Sequence, residues 1–512
     1  MHIVMVAAEN DALPNCKVGG VADVIRDVPY ALTELGHQVS VIVPDYGQHQ
    51  LQRHFVADIA VPFRQHLETA TLWRVEVADN RVAQYVISHS LFSEHGGEIY
   101  CNDTGERPFA TDASKFAFFS AAVCEALEHD FVAAVDLLHL HDWHAATVAV
   151  LARFSGRFSK INHFRTIYTV HNLALQGVRP FKGDDSSLEA WFPTLSYDGQ
   201  RICDHGYPHC YNPMRAGIVL ADKVHVVSPT YAREVLRPSV PEFGFFGGER
   251  LELDMIDAER HGRLIGVLNG CNYPDSAPEA ANWTRFFNDA EAQLFNWMAK
   301  FGELKTAYYL AHQRILQWRQ QAIAGPVVTM VGRLTDQKAL LLRQPFERHL
   351  VLDAIAKRVA AAKGRVVILG SGDGYLEYLF TQVMARNPNV LFLNGYGHGI
   401  GEALYDLGDL FLMPSSFEPC GISQMLAMRA GQPCLVHQVG GLNDTVQHGV
   451  TGFTFSGENL TEQVSELISC CDEALNMLQH APETYHNICA QAKGQRFSWQ
   501  SVAEQYVDRL YR

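Results

Sequence analysis

Several features common in membrane, secreted and nucleic-acid-binding proteins are missing from this sequence. No stretch of about 18 uninterrupted apolar residues occurs, which predicts that no helix crosses a membrane. The 11 cysteines stand at irregular spacings without a C-x-x-C pair, a pattern typical of free thiols in a reducing compartment. Basic residues are outnumbered, and the formal net charge of -15 argues against nucleic acid or an anionic membrane surface as a partner.

The signatures of three common catalytic designs are missing as well. The first glycine pair is not part of a G-x-G-x-x-G dinucleotide fingerprint, and the chain has neither a G-x-S-x-G nucleophile elbow nor a Walker motif. Catalysis is therefore expected to rest on positioning and charge stabilisation rather than covalent attack. The opening MHIVMVAAEN has no basic leader and too short an apolar run for a secretory signal, so a cytoplasmic location is expected.

What the chain does contain is a repeated alternation of strand and helix patterns. The runs HIVMVAA and HQVSVIVP are short and β-rich, and GGVADVIRDVPYALTELG between them has helical spacing that ends at Gly36. A second series begins at PVVTMVGRLTDQK and continues through nearly continuous apolar runs such as RVVILG, as expected for buried parallel strands. The pattern predicts an α/β protein with two Rossmann-like domains, each a parallel sheet covered by helices.

The expected domain bounds follow from where this alternation of strand and helix patterns is interrupted. They are 1–271 for the N-terminal domain, 272–325 for an interdomain connection with helix-like sequence from about Asp289 to Gln321, 326–490 for the C-terminal domain and 491–512 for a last amphipathic helix. In open parallel sheets, ligands bind outside the carboxyl ends of the strands. The polar residues that end these strands are therefore the candidates for a functional site.

The first candidate follows the first strand, where KVGG places Lys17, Gly19 and Gly20 at the start of a helix. Paired glycines let backbone amides approach a ligand closely, and a helix N-terminus favours anions. With the charge of Lys17 added, the stretch predicts a binding site for an anion. The alternative is a tight turn with a solvated lysine.

The second and third candidates lie in the C-terminal half. Arg333 and Lys338 in VGRLTDQK match a diphosphate, since arginine can bind two phosphate oxygens at once; the alternative is a pair of surface charges. In SSFEPCGISQ, Glu418 follows a strand and precedes a helix expected to begin near Gly421 or Ile422. A carboxylate beside exposed amides suits sugar hydroxyls and a phosphate, whereas a plain helix cap is the alternative.

Two histidine-containing strand ends complete the set. In HLHDWHA, alternation along a strand puts His139 and His141 on one face and Asp142 on the other. The spacing matches no standard zinc motif, so packing with one or two ligand contacts is favoured over a metal site. In YTVHNLALQG, His171 and Asn172 end another strand, where a histidine can donate to a sugar hydroxyl or remain structural.

Taken together, these motifs resemble the bacterial glycogen synthase and plant starch synthase family. KVGGVADV, HDWHA, TVHNLALQG, ADKVHVVSPTYAREV, GRLTDQK, LGSGDGYLE, FEPCGISQ and GGLNDTV occur in that order over residues 1–455. The resemblance implies the GT-B fold, two Rossmann-like domains with the active site in the cleft between them. It also implies transfer of glucose from ADP-glucose to the non-reducing end of an α-1,4-glucan with retention, no metal, and a last helix that crosses back to the N-terminal domain.

The same resemblance implies a role for each motif residue. Catalytic residues would be Lys17, His171, Arg333, Lys338 and Glu418. Donor-binding residues would be Lys17, Gly19, Gly20, Asp142, Arg333, Lys338, Tyr396, Glu418, Cys420, Gly421 and Ser423. Tyr396 would stack on adenine, His171 would hold a sugar hydroxyl and present its carbonyl to the reacting carbon, and Asp23 and Asn172 would contact acceptor or sugar.

The chain departs from the family pattern at four places. Val18 replaces the threonine of K-T-G-G, the Cys271–Pro274 stretch diverges, Leu426 stands where an aromatic is common, and Ala339 replaces a glycine. These departures keep two alternatives open. One is a transferase with a different nucleotide-sugar donor or acceptor, and the other is an inactive glucan-binding homologue.

Overall fold

A computed structural model describes residues 1–47, 50–274, 281–302 and 304–512. The chain divides into two compact units. Unit 1 comprises Met1–Ser239, Gly247–Gly270 and Ser498–Arg512, and unit 2 comprises Val240–Phe246 and Cys271–Phe497.

Unit 1 is built on a sheet that has nine strands in the described residues, in the order β11-β10-β7-β6-β1-β2-β5-β4-β3. The strands are β1 His2–Val6, β2 Gln38–Pro44, β3 Arg53–Phe63, β4 His66–Val75, β5 Ala83–Ser88, β6 Leu137–His141, β7 Arg165–Val170, β10 Lys223–Val226 and β11 Leu264–Gly266; β8 Arg179–Pro180 and β9 Cys210–Tyr211 form a separate short ladder. From β11 to β5 neighbouring strands are parallel, as predicted, whereas β3, β4 and β5 pair antiparallel.

Helices cover this sheet, and most residues of its parallel strands are buried. They are α1 Gly20–Glu34, α2 Ser90–Ser93, α3 Ala110–Glu128, α4 Asp142–Phe154, α5 Leu188–Trp191, α6 Gly199–Ile202, α7 Pro213–Leu220, α8 Pro229–Glu234 and α9 Glu252–Arg260. Residues Ile3–Val6 of β1 are fully buried, and α3 is buried over almost its whole length. The charged pair of Asp112 and Lys115 at 2.8 Å allows α3 to be buried, because each charge has a partner.

Unit 2 has a second parallel sheet, with six strands among the described residues in the order β16-β15-β12-β17-β18-β19. These are β12 Val327–Val331, β15 Arg365–Leu369, β16 Val390–Leu393, β17 Leu410–Met413, β18 Cys434–His437 and β19 Gly452–Phe455; β13 Pro345–Phe346 and β14 His349–Leu350 form a short hairpin. All five pairings in this sheet are parallel, as the apolar runs predicted.

The helices of unit 2 are α10 Trp283–Phe301, α11 Thr306–Trp318, α12 Asp336–Ala339, α13 Val351–Ala361, α14 Gly374–Arg386, α15 His398–Leu407, α16 Ser423–Ala430, α17 Gly440–Thr445, α18 Leu460–His480 and α19 Pro482–Gly494. The helix-like sequence from about Asp289 to Gln321 forms parts of α10 and α11, and Gly302, in a left-handed conformation at φ 64°, ends α10. That conformation cannot continue a helix and favours glycine.

The structure differs from the expected domain bounds in three places. Val240–Phe246, expected in the N-terminal domain, groups with unit 2. The stretch expected as an interdomain connection groups with unit 2, since α10 and α11 share one apolar core with β12 and β15. Residues 275–280 and 303 of that stretch lie outside the described residues. At the C-terminus only Ser498–Arg512 groups with unit 1, as α20 Trp499–Gln505 followed by one π-helical turn.

Two further predictions concern bilayers and thiols. Among the described residues, no helix combines the length and the apolar character that crossing a bilayer requires. The 11 cysteines are free thiols, as their irregular spacing predicted.

Candidate active site

The candidate residues lie directly after the carboxyl ends of parallel strands in each unit. In unit 1 the stretches that carry Lys17, Asp142 and His171 follow β1, β6 and β7, three adjacent strands. In unit 2 the stretches with Arg333 and Glu418 follow β12 and β17, which also lie side by side. Because the strands are parallel, the topology gathers each group at one edge of its own sheet.

The loop between β1 and α1 is organised by a buried carboxylate, Glu9. The amides of Val18 and Gly19 donate to Oε2 of Glu9 at 2.6 and 2.7 Å. The hydroxyl of Tyr100 donates to Oε1 of the same residue at 2.6 Å. Glu9 is only 2% exposed, so these three donors replace the water it gives up. Of the glycine pair predicted to receive an anion, Gly19 therefore has its amide already occupied, while Gly20 begins α1.

Lys17 lies among carboxylates as well. Its Nζ is 2.6 Å from Asp23 and 3.2 Å from Asp11. Burial lowers the pKa of Lys17, but the hydrogen bonds and charges of the two aspartates outweigh it and raise that pKa above its usual value. Arg26 pairs with the same two aspartates. Lys17 is thus held charged and in place, with Asp23 as its nearest partner. The neighbouring Val18 is 48% exposed.

Asp142 and His171 are joined at the ends of β6 and β7. Oδ1 of Asp142 accepts the backbone N–H of His171 at 2.7 Å, and Asp142 takes a left-handed φ of 53° where β6 runs directly into α4. Burial raises the pKa of Asp142 to about 7, against the lowering effect of the backbone amides of His171 and Asn172. The Asn172 side chain accepts the N–H of Ala174 at 2.8 Å in a local turn.

The histidines of HLHDWHA pack as a buried cluster. The rings of His139 and His141 stack with centroids 4.3 Å apart, on one face of β6 as predicted. Nδ1 of His139 bonds the Tyr511 hydroxyl at 2.9 Å and its Nε2 bonds Thr169 at 2.6 Å. Nδ1 of His141 lies 3.0 Å from Nε2 of His171. Protein groups therefore take up both ring nitrogens of His139 and Nδ1 of His141, which favours packing over metal ligation at these three atoms.

His144, the remaining histidine of that motif, is part of an aromatic core. Its ring lies 4.7 Å from that of Phe116 and 4.2 Å from that of Trp143. Burial lowers the pKa of His144 to about 3, so the imidazole is neutral. These contacts favour a structural role for His144 in the core.

In unit 2, the loop that carries Arg333 is hydrogen-bonded to the loop at residues 371–373, which contains Gly372. Leu334 donates its N–H to the carbonyl of Ser371, and the Leu334 carbonyl accepts from Asp373. A Cβ on Gly372 would lie 2.4 Å from that carbonyl, so the close approach requires glycine. Arg333 itself is exposed, and its guanidinium has no hydrogen bond or ion pair to any residue that the structure describes.

Lys338 and Glu418 form an ion pair. Nζ of Lys338 contacts Oε2 of Glu418, and Ser415 Oγ donates to the same oxygen at 3.2 Å. Glu418 is 6% exposed, whereas the Lys338 side chain keeps 19% of its surface accessible. Of the two cations predicted for a diphosphate, Arg333 is therefore the one without an acidic partner among the described residues.

Gly440 and Gly441, at the start of α17, pack against the backbone of the turn that carries Glu418. The N–H of Gly441 donates to the carbonyls of Glu418 and Pro419 at 3.1 and 3.2 Å. A Cβ on Gly440 would lie 1.8 Å from the Glu418 carbonyl, and one on Gly441 would lie 2.2 Å from the Cys420 carbonyl. The contact positions the Glu418 side chain through its own backbone.

The helix after this turn begins one residue later than predicted, at Ser423. Gly421 adopts φ 78°, a left-handed conformation that favours glycine. Nε2 of Gln424 donates to the carbonyls of Cys420 and Gly421 at 3.1 and 3.0 Å. The Cys420 side chain is buried, and Ser423 hydrogen-bonds Tyr405, whose pKa burial raises.

Tyr396, at the end of β16, presents a free aromatic face. Its side chain is 69% exposed, while its backbone carbonyl accepts the indole N–H of Trp297 at 3.1 Å. The backbone is thus fixed and the ring is open to solvent, which suits stacking on a planar ligand.

Sequence reasoning missed two kinds of functional support. Glu9 was not predicted, although a carboxylate directly after the apolar run HIVMVAA and eight residues before KVGG is a usable signal. The sequence shows Gly440 and Gly441 only as part of the GGLNDTV motif, because their role depends on backbone groups more than 20 residues away in sequence.

One potential metal-ligand group occurs among the described residues: His448, Cys470 and Glu473. Burial raises the pKa of the Cys470 thiol to about 12.

Comparison with known proteins gives matches over nearly the whole chain. Residues 2–255 match the family described as starch synthase catalytic domain, and residues 325–472 match glycosyl transferases group 1. The glycogen synthase of Streptococcus gordonii is 33% identical over 99% of both chains. That of Exiguobacterium sibiricum is 31% identical over 99% of this chain and 98% of its own.

Solved structures give the same result. The catalytic domain of starch synthase IV from Arabidopsis thaliana, bound to ADP and acarbose, matches with a TM-score of 0.76 and 25% identity over 99% of this chain and 98% of that one. A sucrose-phosphate synthase from Thermosynechococcus elongatus matches with a TM-score of 0.53 and 17% identity over 100% and 98%. The second likeness concerns the fold alone.

Proposed function

This chain belongs to the bacterial glycogen synthase and plant starch synthase family of glycosyltransferases, and from that premise we propose that it transfers glucose from ADP-glucose to the non-reducing end of an α-1,4-glucan. The resemblance predicted from the motifs is thereby confirmed, and the fold is GT-B, with a parallel sheet in each of two units. Retention at the anomeric carbon, the nucleotide and the glucan are parts of the proposal, as is a cytoplasmic location.

The observation that carries the proposal is the charge arrangement after β12 and β17. Arg333 is an exposed cation with no described partner, and Lys338 five residues later pairs with Glu418. A nucleoside diphosphate leaving group needs cationic stabilisation as its bond to the sugar breaks. Arg333 supplies an uncompensated charge, and Lys338 can shift from the carboxylate to a phosphate, which frees Glu418 for sugar hydroxyls.

The open face of Tyr396 supports the nucleotide part of the donor. An exposed ring on a fixed backbone can stack on adenine without moving core residues. The buried Asp142–His171 pair supports the sugar part, since burial lowers the pKa of His171 to about 3 and keeps its imidazole neutral. A neutral imidazole donates to a sugar hydroxyl without adding charge near the reacting carbon.

The proposed reaction proceeds on one face of the sugar. The bond between the anomeric carbon and the diphosphate oxygen breaks as the acceptor hydroxyl oxygen attacks from the same side, and the departing phosphate takes the hydroxyl proton. The carboxylates are engaged elsewhere, Asp142 by the His171 amide and Glu418 by Lys338, so neither is offered as a covalent nucleophile. Arg333 and Lys338 stabilise the charge on the diphosphate, and we propose that no metal is required.

A donor panel tests the proposal. Purified protein with glycogen should incorporate labelled glucose from ADP-glucose well above the rates with UDP- or GDP-glucose. Faster incorporation from another nucleotide sugar would overturn the donor assignment. That alternative is motivated by the exposed Val18 and by the divergent stretch at Cys271 and Asn272. Glucan binding without turnover of any donor would instead indicate an inactive homologue.

A matched pair of arginine variants tests the role of Arg333. Arg333→Ala should lower kcat by about 10- to 100-fold, the range expected for a lost charge-assisted hydrogen bond. Arg343→Ala is the control, because Arg343 is a nearby partly exposed arginine whose Nε already pairs with Asp336 at 2.8 Å. Equal activity of the two variants would remove Arg333 from the proposed mechanism.

A further inference from the structure

The contact between His141 and His171 raises the question of which ring carries the shared proton. Nδ1 of His141 lies 3.0 Å from Nε2 of His171, a hydrogen-bond distance. Burial lowers the pKa of both residues, that of His171 to about 3. Both imidazoles are therefore neutral, and each has one protonated and one bare ring nitrogen. The bond forms only if one residue donates and the other accepts.

The second nitrogen of His141 decides between the two arrangements. Nε2 of His141 is sealed from solvent and bonds no described residue. If His171 donated, His141 would carry its proton on that sealed Nε2, and a buried N–H without an acceptor is rare and costly. If His141 donates from Nδ1, its sealed Nε2 carries only a lone pair that accepts no hydrogen bond. The second arrangement is the less costly one.

We propose that His141 is a positioning residue that donates its Nδ1–H to Nε2 of His171 and thereby holds His171 as the Nδ1–H tautomer. His171 then presents a protonated Nδ1. That atom bonds no described residue and, unlike Nε2 of His141, is not sealed from solvent. Its use as a donor to a sugar hydroxyl rests on the proposed function; the tautomer itself does not.

The surroundings of His141 hold its ring in the orientation this requires. His139 stacks on it with centroids 4.3 Å apart. His139 cannot turn freely, because its nitrogens bond the hydroxyls of Tyr511 and Thr169. Thr169 lies on the next strand and Tyr511 near the C-terminus, so the fold fixes the stack from two sides.

Nitrogen NMR of the full chain, labelled with 15N at histidine, reads the tautomer without substrate. The His171 signals are assigned by their loss in His171→Gln. The expected result is a protonated Nδ1 and a bare Nε2 for His171. A protonated Nε2 would overturn the proposal whether or not the protein turns over ADP-glucose, so this outcome is distinguishable from failure of the proposed function.

Two variants of His141 give a second readout. His141→Asn keeps an amide donor near the position of Nδ1 and should retain the Nδ1–H signal of His171. His141→Leu removes the donor, so His171 should populate Nε2–H, and kcat/KM should fall about tenfold more than in His141→Asn. Leu140→Ala is the control, since Leu140 is equally buried on β6 but alternation places it on the opposite face from His139 and His141, so the His171 tautomer should not change. A His171 that stays wholly Nδ1–H in His141→Leu would show that His141 does not hold it.

Discussion

Gly441→Ala is expected to disable the site while leaving the fold intact. Gly441 lies in α17 and has an ordinary negative φ, so alanine is compatible with its backbone. In an open helix position alanine would be the better residue by ~1 kcal/mol. What opposes it here is space, because the new Cβ would lie 2.2 Å from the carbonyl oxygen of Cys420 and 2.5 Å from its Cα.

The expected loss of activity follows from the 2.2 Å distance between the new Cβ and the Cys420 carbonyl oxygen. To reach the 3.4 Å at which ordinary contact begins, the two backbones must separate by about 1.2 Å. Both atoms met by the Cβ belong to the backbone, so no side-chain rotation relieves the clash. The hydrogen bonds from the Gly441 amide to Glu418 and Pro419 would open. A displacement of about 1 Å at a reacting group costs about 100-fold in rate, so we expect kcat to fall by roughly that factor.

The assay is the initial rate of glucose incorporation from ADP-glucose into glycogen, together with thermal unfolding. The control is Gly374→Ala, at the first residue of α14, where a Cβ meets nothing within 4 Å. Gly441→Ala should lose most activity with a modest fall in melting temperature, whereas Gly374→Ala should keep both. Activity within twofold of the unaltered protein in Gly441→Ala would refute the idea that this glycine positions Glu418.

Three further predictions concern other parts of the site. Tyr396→Ala should raise the KM for ADP-glucose about tenfold through lost stacking, with an unchanged melting temperature because the ring is 69% exposed; Tyr396→Phe should keep a normal KM, and an equal loss in both variants would contradict the stacking role. Asp142 keeps its proton up to a pKa of about 7 when folded but releases it near 3.8 when unfolded, so folding stability should fall as pH rises from about 4 to about 7. The melting temperature of Asp142→Asn should lack this pH-dependent fall. Equal slopes of melting temperature against pH in the variant and the unaltered protein would contradict the prediction. Glu9→Ala leaves the amides of Val18 and Gly19 without their acceptor, which should lower both kcat and melting temperature by an amount worth ~1–3 kcal/mol, while Glu9→Gln should recover part of each.

The local elements were predictable because their signals are local. The paired glycines and the spacing of apolar residues placed the start of α1 within a residue of Gly20. The buried runs predicted parallel strands, and the sheets of both units contain them. The antiparallel β3, β4 and β5 were not foreseen, and neither was the helix break at Gly302. A single glycine within a helical pattern is ambiguous until packing shows where the chain must turn.

Residue order alone is enough to predict the α/β class, the family to which the chain belongs, and the strand ends that carry Lys17, Asp142, His171, Arg333 and Glu418. These follow from residue order, because periodicity and motif spacing are properties of the chain.

The partners of those residues become visible in the folded chain. It showed that Glu9 occupies the amides of Val18 and Gly19, that Lys338 is paired with Glu418, and that His141 bonds His171. Each of these joins residues from separate elements. Their protonation and charge balance depend on burial and on partners across the fold, which no local pattern records.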